Sequence, residues 1–264
     1  MRVLGSEALR DYHEGRPLFC FTTDIEWAPE WAIAETFAIA SAHGVRLVPF
    51  VTHRSAFLEK TLGPGLAGAG IHPNFLAGST HGADPDAVIA SMAALAPNAR
   101  VFRSHCFYDD TRTLRKLADR GFTHDSNACA FLQPELSPTR TVTSILRFPV
   151  FWEDDVHSAN RLDWTLDALR PALDAPGLKI INVHPLRVAL NVGDEATWRR
   201  IRGQYEPLAS GRGEPQPGAG TRTLLEDLMR YASADGRRPY TLDELYRRAA
   251  DRGIAVGANG SDPA

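Results

Sequence analysis

Leu18-Phe19-Cys20-Phe21-Thr22-Thr23-Asp24 is the stretch on which the reading of the whole chain turns. Six apolar or β-favouring residues run without alternation and stop at a carboxylate. A run of that kind suits a strand covered on both faces, as in a parallel sheet. Residues 29–40 then favour helix, with Pro29 suited to a first turn and Gly44 to the stop. Residues 46–52 form a second strand candidate that ends at His53. The same alternation continues with strands at 69–72, 100–103, 122–124, 144–150 and 178–183. Helices are predicted at 85–95, capped by Asp84, at about 111–120, capped by Asp109 or Asp110, and at 162–173. Strands alternating with helices imply parallel βα units with right-handed crossovers. Seven such units predict an α/β fold, a distorted (β/α)7 barrel.

The remaining sequence has another character. Residues 207–220 are rich in Gly, Pro and charge and read as a surface loop. C-terminal helices follow at 222–232 and 241–251, the second opened by a capping box from Thr241 to Glu244. Residues 257–264 read as a frayed tail. No internal repeat interrupts the pattern, so a single domain over residues 1–264 is expected.

Composition removes several function classes. The chain has 264 residues, with 29 Lys+Arg against 32 Asp+Glu and a net charge of −3. There is no basic excess to neutralise nucleic-acid phosphates. No apolar run approaches the roughly 18–20 residues that span a bilayer. The opening MRVLGSEALRDYHEGRP lacks a signal-peptide apolar core, so a cytoplasmic protein is expected. Cys20, Cys106 and Cys129 are odd in number and unpaired in spacing, which argues against a disulfide framework or a zinc ribbon.

The polar residues that end the strand candidates carry the chemistry. They are Asp24 and Glu26, His72, Arg103 with His105, Asp125, and His184. In a parallel barrel the C-terminal ends of the strands meet at one mouth. Carboxylates and imidazoles gathered there are ligands for a divalent metal, with groups to spare for proton transfer. Trp27, Trp31, Phe107, Tyr108 and Trp152 are candidates for a sugar platform or for core. His53, His124 and His157 read as polar residues at loop mouths.

In this ordered set the sequence resembles the polysaccharide deacetylases of the NodB-homology type, carbohydrate esterase family 4. The closest likeness is to the branch whose first motif is DxD or DxE, and it extends to the deacetylase-like proteins of bacterial O-antigen gene clusters. The motifs are Phe21-Thr22-Thr23-Asp24-Ile25-Glu26-Trp27, Gly70-Ile71-His72-Pro73-Asn74-Phe75, Phe102-Arg103-Ser104-His105, Leu146-Arg147-Phe148-Pro149-Val150 and Ile181-Asn182-Val183-His184-Pro185. Together they cover roughly residues 17–186.

The resemblance implies a metal-dependent hydrolase, most simply with zinc, that removes an N-acetyl group from a sugar or a sugar-containing biosynthetic intermediate. It implies Asp24 as general base, His184 as general acid and Arg103 as the residue orienting the base. It implies Glu26 and His72 as metal ligands. The family draws a second imidazole from four residues after the first, where this chain has Leu76. His81 is the expected third ligand, His105 the competing one and Asn74 a weaker oxygen donor. Trp27, Asn74, His105 and Trp152 are the expected substrate contacts. Two other functions fit the same residues: hydrolysis of a non-sugar amide, as in allantoinase-like relatives, and a catalytically inactive barrel that binds carbohydrate.

Overall fold

A computed structural model describes residues 11–203 and 211–254. The expected tail, the loop residues 207–210 and most of the N-terminal segment lie outside the described residues. Nine strands build one sheet: β1 (Pro17–Asp24), β2 (Leu47–Val51), β3 (Gly70–Ile71), β4 (Val101–Phe102), β5 (His124–Asp125), β6 (Thr139–Arg140), β7 (Leu146–Arg147), β8 (Val150–Glu153) and β9 (Gly177–Val183). Their order is β6-β7-β5-β4-β3-β2-β1-β9-β8. All neighbours are parallel except β6 and β7.

β7 and β8 lie towards opposite ends of that order, yet only Phe148 and Pro149 separate them. Phe148 N–H still donates to Asp125 O of β5, and Val150 N–H donates to Ala128 O. β8 then pairs with β9. One stretch of chain thus passes from one end of the sheet to the other and curls it into a distorted barrel. The expected sixth strand, 144–150, is this composite. It runs three residues further than the sequence suggests, because β8 goes on pairing with β9 as far as Glu153, and Pro149 is tolerated at the handover between the two neighbours.

The helices among the described residues are α1 (Glu30–Ala42), α2 (Ala56–Leu62), α3 (Pro85–Leu95), α4 (Thr111–Asp119), α5 (Asp154–Ala159), α6 (Leu166–Asp174), α7 (Pro185–Ala189), α8 (Glu195–Arg202), α9 (Thr221–Ser233) and α10 (Leu242–Asp251). Asp84, Asp110 and Thr241 accept hydrogen bonds from the first turns of α3, α4 and α10, and Thr241 and Glu244 complete the capping box. Pro29 caps α1 from outside rather than sitting inside it. The single helix expected at 162–173 is two: α5 starts at Asp154, and Arg161 (φ 56°) turns the chain before α6. None of the helices is long and apolar enough to cross a membrane.

Strand alternation sorts the core into an inner and an outer layer. From β1, Leu18 and Cys20 pack inside with Val48, Phe50, Val101, Phe148, Leu178 and Ile180, and Leu242 and Leu245 of α10 close that layer. Phe19 and Phe21 face the helices, with Ile181 and Val183 of β9. Continuing the same parity, Thr22 and Asp24 of β1, Asn182 and His184 at the end of β9, and Arg103 after β4 all turn inward at the C-terminal mouth.

One outward residue stands apart chemically. Lys179 is fully buried, with Nζ over the Phe151 ring at 4.5 Å and 3.3 Å from Pro176 O. Burial pushes its pKa down to about 8 from the ordinary 10.5, only partly opposed by Glu135. A folded pKa below the unfolded one means the unfolded chain holds more protons between these values. Stability therefore rises as pH climbs from about 8 to 10.5. Lys179→Met should raise the unfolding free energy at pH 7 by about 1–3 kcal/mol and flatten that alkaline rise. Urea midpoints at pH 7 and pH 10 check both; an unchanged midpoint at pH 7 would mean that the ammonium costs nothing where it sits.

Candidate active site

Asp24 is the last residue of β1 and is buried. Its Oδ1 accepts from Arg103 Nη1 at 2.8 Å and its Oδ2 from Asn182 Nδ2 at 2.9 Å. Arg103 is held on every side. Nε and Nη2 donate to Ser126 O and Oγ at 2.9 and 2.8 Å, and Nη1 also reaches Asn182 Oδ1 at 2.6 Å. Its guanidinium lies over the Phe50 ring at 4.3 Å. Asn182 uses its amide fully: its second N–H donates to Glu153 Oε1 at 2.7 Å, and its oxygen also accepts from Thr22. Asp24 is thereby fixed in one rotamer by charge-assisted hydrogen bonds.

His184 follows β9 and precedes Pro185, the first residue of α7. Its Nδ1 meets Asp154 Oδ1 at 2.6 Å, and Asp154 Oδ2 accepts its backbone N–H at 2.9 Å. Nε2 is left facing Glu26 Oε2 at 3.6 Å. Burial opposes a charge on this imidazole. The carboxylates of Asp154 and Glu26 outweigh that and raise its pKa well above the usual histidine range. Glu153 is shifted upward too, by burial first and then by the negative charge of Asp155.

Glu26 and Trp27 both hold left-handed backbone, φ 35° and 56°. Trp27 N–H donates to Thr52 Oγ1, and Ala28 N–H closes the turn onto Ile25 O. The turn lifts Glu26 off the end of β1 and aims it across the mouth. Glu26 Oε1 lies 2.8 Å from His105 Nδ1 and 3.6 Å from His72 Nε2. Burial disfavours its charge, but His184, His105 and His72 hold its carboxyl well below the usual range. His72 is buried, and neither ring nitrogen has a hydrogen-bond partner. An imidazole with both nitrogens unsatisfied is costly and suits a metal ligand.

Glu26, His72 and His105 each offer a ligand atom within 4.8 Å of the other two. The His105 backbone N–H donates to Pro73 O at 2.9 Å, which ties it to the loop after His72, and the chain then turns through left-handed Cys106 and Phe107 (φ 55° and 51°). His81 is outside this cluster. Its Nδ1 accepts the Asn74 backbone N–H at 3.0 Å, and its ring packs on Trp27 at 5.5 Å. A second group, Asp24, Glu153 and His184, is equally close, but Asn182 donates to one oxygen of each of its carboxylates and Arg103 to the other oxygen of Asp24.

The other expected contacts divide. Trp27 and His105 line a cavity of about 550 Å³ at the mouth, with His184 and Trp198. Asn74 instead holds its own loop, accepting from Leu76 N–H. Trp152 is in the outer core and fully buried, its indole donating to His157. The reason is a bulge: the register with β9 shifts between Val150 and Trp152, so Trp152 points outward and Glu153 inward. Trp31 packs with α7 and α8, Phe107 lies against the inner core and Tyr108 against Phe75. Asp125 is taken up by Arg147, and His124 stacks on Tyr246 of α10.

The buried carboxylates, the guanidinium and the imidazole–carboxylate pairs lie at the C-terminal mouth of the sheet, the face where parallel α/β barrels carry their active sites. The family model for WbmS-like polysaccharide deacetylases matches residues 21–202, and the chain belongs to that family. Among solved structures it is similar to one from Bordetella bronchiseptica described as a polysaccharide deacetylase involved in O-antigen biosynthesis. The two are 26% identical, with a TM-score of 0.70, over 88% of this chain and 95% of that one. A polysaccharide deacetylase structure from Mycobacterium smegmatis shares the fold at 15% identity and TM-score 0.56, over 95% of each chain. The comparison with curated proteins gives no match.

Proposed function

We propose that this protein is a metal-dependent N-deacetylase of a sugar or a sugar-containing biosynthetic intermediate. The observation that carries the reading is the pairing of two groups at one mouth. One is a carboxylate locked by Arg103 and Asn182; the other is an imidazole locked by Asp154. Amide hydrolysis needs a base for the attacking water and an acid for the departing nitrogen. Asp24 takes the proton from water. His184 gives a proton from Nε2 to the leaving amine, while Asp154 keeps Nδ1 protonated and the ring in place. Arg103 holds Asp24 in orientation through the hydrogen bond from Nη1 to Oδ1. Glu26, His72 and His105 fit a divalent cation, as the two unpartnered nitrogens of His72 indicate. A cation bound there would act as a Lewis acid towards water and the acetyl carbonyl.

The test is release of free acetate from N-acetylated sugars by protein loaded with zinc, manganese or cobalt. The expected result is acetate release that stops on chelation and returns with metal. Acetate release that persists in chelator would overturn the metal-dependent part; none from any N-acetyl sugar with metal bound would overturn the deacetylase.

A further inference from the structure

The cavity has a wall that this chemistry leaves unused. Arg187 stands in α7 three residues after His184, and residues so spaced share one helix face. It is buried, and its Nη1 has no hydrogen-bond partner. Its guanidinium carbon lies over the Trp198 ring, 4.3 Å from the ring centre. Its ion-pair partner, Glu195, is 3.6 Å from Nη2, and Glu195 is shared with Arg199. Arg202 lies four residues after Trp198 on α8, exposed, and lines the same cavity. Asp155, the other carboxylate lining it besides Glu26, lies within 4.8 Å of His184 and Asp154, and Arg187 is among the charges that act on it.

A stacked, buried guanidinium with a spare donor is poorly explained by stability, since burying such a charge is costly unless its hydrogen bonds are satisfied. It is well suited to ligand binding. The planar fork recognises carboxylates and phosphates bidentately, and stacking on an indole keeps its edges in a fixed plane. The geometry points to an oxyanion subsite formed by Arg187 and Arg202 on Trp198, so that the substrate is a sugar carrying both an N-acetyl group and a carboxylate or phosphate. This rests on the deacetylase reading above and adds the substrate class. Two sources share the chemistry: the carboxylate of an N-acetylated uronic acid, and the diphosphate of a nucleotide-linked N-acetyl sugar.

Calorimetric titration of the zinc-loaded protein with N-acetylglucosamine, N-acetylglucosaminuronic acid and UDP-N-acetylglucosamine tests it. At least one anionic sugar should bind ten- to hundredfold tighter than the neutral one, the range expected of a charge-assisted bidentate contact. Whichever of the two does so names the source. Arg187→Met and Arg202→Gln should each cut that advantage about tenfold. Arg202 is exposed, so its variant tests the subsite even if the Arg187 variant misfolds. Binding of all three sugars within threefold of one another, no binding at all, or an advantage that survives both substitutions would overturn the inference. Acetate release measured alongside separates the two readings. Neutral sugar hydrolysed as well as anionic removes the subsite and keeps the deacetylase. Preferential anionic binding without acetate from any sugar keeps the subsite and removes the deacetylase.

Discussion

Asp24→Asn will cost between about two and four orders of magnitude in turnover while leaving the metal content unchanged, the loss typical of a missing general base. The substitution keeps the shape of the side chain and one acceptor oxygen, so the Arg103–Asn182 cradle can still close on one side. It removes the ionised partner of a fully buried guanidinium, and a stability cost of about 3–5 kcal/mol follows. Domains of this kind hold about 5–15 kcal/mol, so the variant remains folded at low temperature. Turnover should therefore be measured well below the thermal transition, with near-ultraviolet circular dichroism as the check on folding. A folded variant keeping more than about a tenth of wild-type turnover would remove Asp24 from the role of base. Asp24 is not one of the three clustered ligand residues, which is why metal content separates a lost base from a lost site.

His105→Ala should weaken metal binding by more than about a hundredfold, beyond the ten- to hundredfold attributed to residues that merely support a ligand. His81→Ala should change it less than tenfold. The contrast rests on geometry. His105 Nδ1 is 2.8 Å from Glu26 Oε1, whereas His81 Nδ1 is occupied by a backbone N–H of its own loop. Metal retained after dialysis against a weak chelator reads the outcome directly and needs no substrate. Loss in the His81 variant alone would return the third ligand to the segment after His72, where the family spacing first suggests it.

Much of the frame was legible because the strands that matter are continuous apolar runs ending in chemistry. β1 closes at Asp24 and β9 runs into His184, so the two residues proposed as base and acid stand out in the sequence as the polar stop of each run. Arg103 and His72 stand out in the sequence the same way. What stayed hidden depends on two-residue accidents of backbone. His105 is already a candidate ligand in the sequence, but the left-handed turn at Cys106–Phe107 that follows it is not announced by any glycine. The bulge in β8 reverses the parity of Trp152 and Glu153. The sixth strand is expected to end at Val150, so Glu153 and Asp154 fall outside it in the sequence reading. The signal was present all the same: the apolar run 148–152 ends in three successive carboxylates, the pattern already used for β1. Asn182 was missed for another reason. A buried amide in a strand gives no sequence clue until its four hydrogen-bond partners are known.

The β1–β9 pairing also fixes when this molecule can become competent. Phe21 lies beside Ile181 and Thr22 beside Asn182, so the ladder joins residues 160 apart in the chain. Closing so long a loop is entropically expensive, and folds dominated by such non-local pairing form slowly. During synthesis, at about 5–20 residues per second, β1 emerges long before its neighbour exists. Asp24 then has neither Asn182 to hold it nor His184 across from it. The pair proposed for proton transfer is thus created by the closure of the sheet itself, and a chain that stops short of β9 carries Asp24 without the residue meant to act with it.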